Sequence, residues 1–178
     1  MSNNYGDVAI LDYNDLTKRI TTLYKPREWC EVMVYSPNQE FLAVGSHDDS
    51  IYVYKISGNG EYSLHWAITN THSSAVTAID WSKDSKYIRS IDQAYAKLFF
   101  DVEKNEAVTE GQTTLTSLNL WATATCKLGW EVAGVFPSGT DGTDINAVDA
   151  NPDRSLIATG DDFGSVNIYR APVLNNSQ

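Results

Sequence analysis

Apolar and polar residues alternate over short stretches along most of the chain. Val32 and Val34, like Val166 and Ile168, occupy every second position among polar or aromatic neighbours. A period of two residues is typical of a strand with one buried face. No long stretch has the period of 3.6 residues that predicts an amphipathic helix. The pattern therefore predicts an all-β chain.

Turn signals separate the predicted strands. Ser36-Pro37-Asn38-Gln39 and Asn151-Pro152-Asp153-Arg154 combine a proline, which presets φ, with Asn or Asp, which tolerates the bend. Ser82-Lys83-Asp84-Ser85 is a third turn at a matching place. Gly58-Asn59-Gly60 is a hairpin signal before the strand around Leu64–Trp66. These signals predict short strands joined by tight turns.

The strands and turns recur as an internal repeat. Phe41–Gly45 and Leu156–Gly160 match at an offset of 115 residues, and the turn before each of them keeps that offset. A third copy lies between them at an offset of 46 residues, where Tyr87-Ile88 stands opposite Phe41-Leu42. A fourth, truncated copy opens the chain at Gly6–Ile10.

A repeat of roughly 40 to 46 residues with four short strands is the signature of a propeller blade. One small twisted sheet cannot bury both faces, so blades pack face to face. The second and third copies are more widely spaced, which predicts an insertion or divergent piece of blade from about Asp101 to Asp144. The predicted organisation is the end of a preceding blade (1–28), two blades (29–72 and 73–120), a divergent blade with an insertion (121–172) and a polar tail (173–178).

Composition and charge narrow the class of protein. The chain has 178 residues, of which 42% are hydrophobic, so it can bury a sizeable core. Lys and Arg number 13 against 23 Asp and Glu, a net charge of −10. This deficit of cations argues against binding to nucleic acid or to an anionic membrane surface. No apolar run reaches the roughly 18 residues of a membrane-spanning helix, and the first residues lack a signal-peptide pattern.

The chain offers no convincing catalytic, metal-binding or cofactor-binding pattern. Ser46-His47-Asp48 has the residue types of a hydrolase triad, but neighbours in a tight turn cannot link nucleophile, base and orienting acid. Cys30 forms a Cys–His pair only if folding brings His47 or His72 to it. The histidines, cysteines and clustered aspartates lack metal-site spacing. With Cys126, the two cysteines cannot form a disulfide framework, which predicts a reducing, cytoplasmic compartment.

Several stretches are more specific than the repeat alone. They are Phe41–Asp48, Ser73–Tyr87, Ile145–Asn151 leading into Gly160–Gly164, Trp121–Cys126 and Gly134–Pro137. These stretches resemble the echinoderm microtubule-associated protein-like family of WD-repeat propellers, and the resemblance extends from about Gly6 to Pro172. It implies a partial WD-repeat β-propeller with about three full four-stranded blades and part of a preceding one. The remaining blades are expected from the same polypeptide or from a partner chain.

The resemblance also implies a function. It predicts a non-enzymatic protein-binding or scaffold module that is associated with microtubules. The expected partners are tubulin, microtubules or other microtubule-associated proteins, and the expected location is the cytoplasm, in the cytoskeleton or a ciliary axoneme. Two alternatives stay open: a generic WD-repeat scaffold subunit of another multiprotein complex, and an enzyme subunit framed on the propeller.

The hydrogen-bond tether of a WD blade departs here from the family pattern. Such a blade links its turns through a His, a Ser or Thr, an Asp and a Trp. Asp48 fits the Asp position of the first full unit, but Tyr54 stands where Trp is usual. In the next unit Ala94 occupies the Asp position, although His72 is available as the histidine. We therefore expect aromatic packing to hold these blades more than polar networks do.

Four basic residues are candidate partner contacts. Lys18, Arg19, Lys25 and Arg27 fall within ten positions on the loop side of the truncated first blade. An acidic tubulin surface, which the resemblance implies, would repel a chain of net charge −10, so contact would need such local basic positions. A solvated strand and turn is the alternative. The tryptophans recur near strand starts and are expected to pack between blades, except Trp130 in the insertion, for which we predict a surface role.

Overall fold

The computed structural model describes residues 3–136, 139 and 144–175, and this part of the chain forms four antiparallel sheets. The first is a pair, β1 (Val8–Leu11) and β2 (Arg19–Leu23). The second contains β3 (Cys30–Tyr35), β4 (Phe41–Ser46), β5 (Ile51–Ile56) and β6 (Tyr62–Ile68). The third contains β7 (Val76–Trp81), β8 (Tyr87–Asp92), β9 (Lys97–Asp101) and β10 (Glu106–Ala107). The fourth contains β11 (Ile145–Ala150), β12 (Leu156–Asp161) and β13 (Val166–Arg170).

Within each sheet the strands lie side by side in the order of the sequence. Three short 3₁₀ helices follow β10, at Gln112–Leu115, Leu118–Leu120 and Trp130–Val135. They lie in the stretch for which the sequence predicts an insertion. Among the residues described, no helix is both long enough and apolar enough to cross a membrane.

The pairing register confirms the internal repeat. In each of the three larger sheets, the second residue of the second strand pairs with the fourth residue of the third strand, which is aromatic. The pairs are Leu42–Tyr54, Ile88–Phe100 and Ile157–Tyr169. Residues matched at offsets of 46 and 115 positions therefore occupy the same places in separate antiparallel sheets.

The sheet of β11, β12 and β13 has three strands in the described part of the chain, whereas the repeat predicted four. After β13 the chain reaches Pro172, which has no backbone N–H to offer a ladder. Val173 then donates its N–H to the carbonyl of Glu131 at 2.9 Å and accepts the N–H of Gly134 at 2.7 Å. The backbone that follows β13 thus pairs with the 3₁₀ helix Trp130–Val135. The predicted unit boundaries stay predictions, and residues 176–178 of the predicted tail lie outside the described residues.

The chain divides into two compact units. The first holds the described residues up to Ile79 together with Asp92–Ala96, and the second holds Asp80–Ile91 and the described residues from Lys97 onward. The core of the first unit contains Val8, Leu23, Cys30, Leu42, Val44, Tyr52 and Tyr54. Among its described residues, the second unit contains a cluster of Val132, Val135, Ile145, Val148, Ile157 and Val173. Phe99, Leu115 and Trp121 form another cluster there.

One face of the β3–β6 sheet is covered by the beginning of β7. At Gly45 a Cβ atom would lie 2.7 Å from Cγ1 of Val32 and 2.8 Å from Cγ1 of Val76, with Cδ1 of Ile79 at 3.2 Å. Val53, on the same face, is fully buried. The strand of the next sheet therefore approaches so closely that only glycine fits at position 45.

The matching face of the β11–β13 sheet is bare within the described part of the chain. Gly160 stands 115 positions after Gly45, and a Cβ atom there would meet nothing within 4 Å. Val166 is 76% exposed and Ile168 is 69% exposed. We call the surface formed by Ala158, Gly160, Val166 and Ile168 the open face.

We expect Gly45→Ala to lower the free energy of unfolding by about 1–3 kcal/mol, because the added methyl group overpacks the contact with Val76. The measurement is urea unfolding of the complete protein, compared through the midpoint at constant m-value. Gly58→Ala is the control, since a Cβ atom there meets nothing within 4 Å. Equal midpoints for the two variants would contradict the close approach.

Candidate partner-binding surface

The structure places the four predicted basic residues at opposite ends of β2. Lys18 and Arg19 lie at the hairpin between β1 and β2, whereas Lys25 and Arg27 lie in the loop that leads to β3. A strand rises by about 3.3 Å per residue, so β2 separates the two pairs by roughly 15–20 Å. The four residues therefore do not form a single patch.

At the hairpin end, acidic residues offset the positive charge. Nζ of Lys18 lies 3.1 Å from Oδ2 of Asp12, and Asp15 lies three positions before Lys18 in the same turn. The backbone N–H of Asn14 and the side chain of Lys18 both donate to Asp12 and hold the pKa of this carboxyl below its usual value. This end of the strand offers little net charge to a partner.

At the other end, Asp48 fixes the loop that carries Arg27. Oδ2 of Asp48 accepts the backbone N–H of Arg27 at 2.8 Å and the hydroxyl of Tyr52 at 2.7 Å. Nε of Arg27 lies 3.9 Å from the same oxygen, and the Arg27 side chain is 76% exposed. The carboxylate thus holds the backbone while the guanidinium reaches solvent.

An exposed aromatic residue lies in the same loop. Trp29 is 44% exposed and stacks on His47, with ring centroids 3.7 Å apart and an angle of 26° between the rings. Nε2 of His47 lies 2.8 Å from Oε2 of Glu31. We call the surface formed by Tyr24, Lys25, Arg27, Trp29 and His47 the loop surface. The recurrence of tryptophans near strand starts predicted that Trp29 packs between blades, and its place two residues after Arg27 is the sequence signal for a surface position.

The side chains of Ser46, His47 and Asp48 have separate partners. Ser46 donates its hydroxyl to the carbonyl of Glu28 at 3.0 Å, whereas His47 contacts Trp29 and Glu31. They do not form the linked arrangement of a catalytic triad. Among the described residues, no group of three or more His, Cys, Asp or Glu side chains is placed to hold a metal ion.

Both cysteine thiols are buried. Burial, with the negative charge of Asp48, raises the pKa of Cys30 to about 11. Burial also raises the pKa of Cys126 well above its ordinary value, with the charge of Asp80 adding to the effect. Since the thiolate is the nucleophile, both cysteines are in their unreactive protonated form near neutral pH.

The His–Asp part of the tether is present in the second full repeat, contrary to the expectation drawn from Ala94. Nδ1 of His72 lies 3.0 Å from Oδ2 of Asp92, and neither side chain is exposed. Oδ1 of Asp92 accepts the backbone N–H of Ala96 at 2.8 Å. The carboxylate therefore comes from the residue two positions earlier than the family pattern places it.

The second of the two compact units contains a buried network of four ionisable side chains. Nε of Arg89 lies 2.9 Å from Oδ2 of Asp80, and Nη1 of Arg89 lies 3.1 Å from Oε1 of Glu131. Nζ of Lys97 lies 3.3 Å from the same Glu131 oxygen. Asp80, Arg89 and Glu131 are almost completely buried. Two cations and two carboxylates thus neutralise one another inside the unit.

The network ties an irregular segment to the β7–β10 sheet. The carboxylate of Asp80 accepts hydrogen bonds from the side chains of Thr123 and Thr125 and from the backbone N–H groups of Thr125 and Cys126. Burial alone would raise the pKa of Asp80, but the charge of Arg89 and these hydrogen bonds lower it below the usual value. Polar contacts therefore hold this segment together with the buried ring of Trp121, whereas aromatic packing alone was expected to dominate.

Trp130 begins the 3₁₀ helix Trp130–Val135 and is 52% exposed. Its neighbour Glu131 is 2% exposed and bound to Arg89 and Lys97. The buried carboxylate thereby fixes the backbone from which the Trp130 ring projects. Its exposure is what the predicted surface role requires.

Antiparallel sheets of sequential strands that repeat in one register are the blades of a WD-repeat β-propeller. A chain in the structure described as "Crystal Structure of Mitotic Checkpoint Complex" matches 95% of this chain over 57% of its own length, with a TM-score of 0.67. The two chains are 12% identical, so the likeness shows the fold alone.

The family described as "Echinoderm microtubule-associated protein second beta-propeller" matches residues 1–178. The chain belongs to this family, as its sequence predicted.

Named relatives agree with that assignment. The chain is 43% identical over 173 residues to "Ciliary WD repeat-containing protein ctxp80" of Euplotoides octocarinatus, covering 97% of this chain and 24% of the relative. It is 41% identical over 157 residues to "Echinoderm microtubule-associated protein-like 1" of Homo sapiens, covering 88% of this chain and 19% of the relative. It is 40% identical over 147 residues to the "77 kDa echinoderm microtubule-associated protein" of Lytechinus variegatus, covering 83% and 22%. The chain thus spans a quarter or less of the length of these relatives.

We expect Asp80→Asn to lower the free energy of unfolding by about 3–5 kcal/mol, because it leaves Arg89 buried without its full countercharge. The pKa of Asp80 is lower in the folded chain than its ordinary value of 3.8. Its stabilising contribution is therefore complete above pH 3.8 and is lost as the pH falls through the folded pKa. Urea unfolding at several pH values measures this dependence. The free energy of unfolding of the variant should fall less on acidification than that of the unaltered protein.

Asp149→Asn is the matched control for this substitution. Asp149 occupies the same repeat position as Asp80 but is exposed. We expect its effect to stay within about 0.5 kcal/mol. A loss as large as that of Asp80→Asn would show that burial and pairing of Asp80 are not the cause.

Proposed function

We propose that this chain is part of a WD-repeat propeller that serves as a non-enzymatic protein-binding module associated with microtubules. The observation that carries the proposal is its membership of a family whose relatives are named for microtubules, together with a relative named as ciliary. The proposed partners are tubulin or other microtubule-associated proteins. The proposed location is the cytoplasm, in the cytoskeleton or a ciliary axoneme.

A binding role rather than catalysis is supported by the chemistry of the described residues. The polar side chains of Ser46, His47 and Asp48 diverge, and the thiols of Cys30 and Cys126 have raised pKa values. The strongly perturbed Asp80 belongs to an ion network that holds a segment in place. Each of these groups has a structural partner that accounts for it.

We propose the loop surface as the main contact. Lys25 is exposed and the Arg27 side chain is 76% exposed, beside the exposed ring of Trp29. Fields of exposed charges are screened over about 8 Å at physiological salt, so the local pair can act at contact although the net charge is −10. Lys18 is paired with Asp12 at 3.1 Å in the hairpin, whereas the Arg27 guanidinium reaches solvent although Glu28 follows it in the chain, so we place the contact at Lys25 and Arg27.

The test is co-pelleting of the complete protein with microtubules. We expect Lys25→Glu combined with Arg27→Gln to weaken binding about tenfold or more, since each charge-assisted contact contributes about 1.5–3 kcal/mol. Gln at position 27 keeps the backbone bond to Asp48 without placing a second carboxylate beside it. Lys18→Glu combined with Arg19→Gln changes the net charge equally and should have less than a threefold effect.

Equal losses in the two double variants would indicate a net-charge effect and contradict the loop surface. Unchanged binding in both would remove these basic residues from the interaction. Trp130→Ser in the same assay tests the second candidate contact. Failure of the unaltered protein to pellet with microtubules would contradict the microtubule association itself and favour a scaffold in another complex.

We also propose that a further blade, from the same polypeptide or a partner chain, covers the open face. The support is the repeat itself, because the matching face of the β3–β6 sheet is buried under Val76 and Ile79. Exposed apolar patches of this kind are typical of surfaces that meet another protein element. Val166 and Ile168 would then be buried, as the matching residues Ile51 and Val53 are in the β3–β6 sheet.

We expect Ile168→Asp to lower the free energy of unfolding of the complete protein by at least about 2 kcal/mol, because a covered face would bury the new carboxylate. Leu16→Asp is the control: Leu16 is 70% exposed against 69% for Ile168, and it lies in the β1–β2 hairpin. Its effect should stay within about 0.5 kcal/mol. If urea unfolding gives the same small effect for both, the face is open in the complete protein.

A further inference from the structure

A groove lies beside the outer edge of the β7–β10 sheet. It has a volume of about 470 Å³ and runs between the β9–β10 hairpin and the 3₁₀ helix Gln112–Leu115. Tyr87, Val108 and Leu115 line it, and they belong to one apolar cluster of the second unit.

The rim of the groove is acidic. Asp101, Glu106 and Glu110 line it, and Lys104 is the one cation among the described lining residues. Nζ of Lys104 lies 3.5 Å from Oδ2 of Asp101 and 3.7 Å from Oε1 of Glu106. The rim therefore keeps a net negative charge after this pairing.

The groove also borders an unpaired strand edge. β10 is the last strand of its sheet, and Glu106 pairs with Asp101 while Val108 donates its N–H to the carbonyl of Phe99 at 2.8 Å. Backbone groups alternate in direction along an antiparallel strand, so those of Ala107 point away from β9. Ala107 is exposed and lines the groove. An N–H and a carbonyl in this position form a template for another strand.

We propose that this groove binds an extended, basic peptide segment of a partner protein, which adds a strand to β10. The backbone of Ala107 supplies the hydrogen bonds of strand addition, and the apolar floor takes alternate side chains of the peptide. Lys or Arg side chains of the peptide pair with Glu106 and Glu110 at the rim. The groove is a different surface from the loop surface, and its rim is acidic where the loop surface is basic. The proposal therefore does not depend on microtubule binding.

The carboxylates decide between the possible occupants. An acidic peptide or a nucleic acid would meet Asp101, Glu106 and Glu110 with like charge. A free cation would not use the edge groups of Ala107 or the apolar floor. An extended peptide with alternating basic and apolar residues matches the charge, the edge and the floor together.

The test is fluorescence anisotropy of a labelled peptide of alternating Lys and Val residues, titrated with the complete protein. Saturable binding is expected. Ala107→Pro should weaken it about tenfold, because proline removes an N–H that faces the groove and leaves the β9–β10 ladder intact. Glu106→Gln combined with Glu110→Gln should weaken it at least tenfold and reduce its salt dependence.

Controls separate a specific site from general attraction to an acidic protein. Glu40→Gln combined with Glu61→Gln removes the same charge from exposed positions in the first unit and should leave the affinity within twofold. A peptide of alternating Glu and Val residues should not bind. Absence of binding by the basic peptide, equal losses in the two glutamate pairs, or equal binding of the acidic peptide would each overturn the proposal. If Ala107→Pro lowers the thermal midpoint of the protein, loss of binding in that variant could come from unfolding. The comparison of the two pairs of glutamate variants then decides whether the groove binds the peptide.

Discussion

Each sheet of this chain has an apolar face that it cannot bury by itself, and the rest of the structure depends on how that face is covered. On the β3–β6 sheet the next strand approaches so closely that a Cβ atom at Gly45 would lie 2.8 Å from Cγ1 of Val76. On the β7–β10 sheet the segment around Thr123–Cys126 binds to Asp80. On the β11–β13 sheet the open face has no cover in the described part of the chain. Two copies of the repeat thus cover this face in different ways, and the third leaves it exposed within the described residues.

The charged cover of the β7–β10 sheet shows what a buried ion network contributes. Desolvating charges is costly, so such a network is weak evidence for extra stability. Nη2 of Arg89 and Oε2 of Glu131 are buried without a hydrogen-bond partner, which adds to that cost. What the network supplies is selectivity, since only a segment with matching donors can satisfy Asp80. The same contacts set the position of Trp130, so a buried carboxylate determines where an aromatic ring meets solvent.

The surfaces proposed for binding lie on loops and at a strand edge, as expected for a rigid scaffold. Asp48 secures the loop that presents Arg27 and Trp29, and the β9–β10 ladder secures the edge at Ala107. One surface is basic and aromatic, whereas the other is acidic with an apolar floor. A propeller with two such sites could bind partners of opposite charge at the same time. This property comes from the residues at the two sites and not from the fold itself.

The sequence by itself determined the strand period, the turns, the register of the repeat and the family, because these depend on residues close together in the chain or on direct matches between its copies. Leu42 and Tyr54 pair as Ile157 and Tyr169 do, at the offset visible in the sequence. Only the tertiary structure decided that Asp92 binds His72, that Asp80 and Asp149 have opposite environments, and that β2 separates Lys18 from Lys25. The physical reason is that a side chain's partner depends on which distant segment covers its face. Asp80 and Thr125 are 45 positions apart, and no local pattern records that they meet.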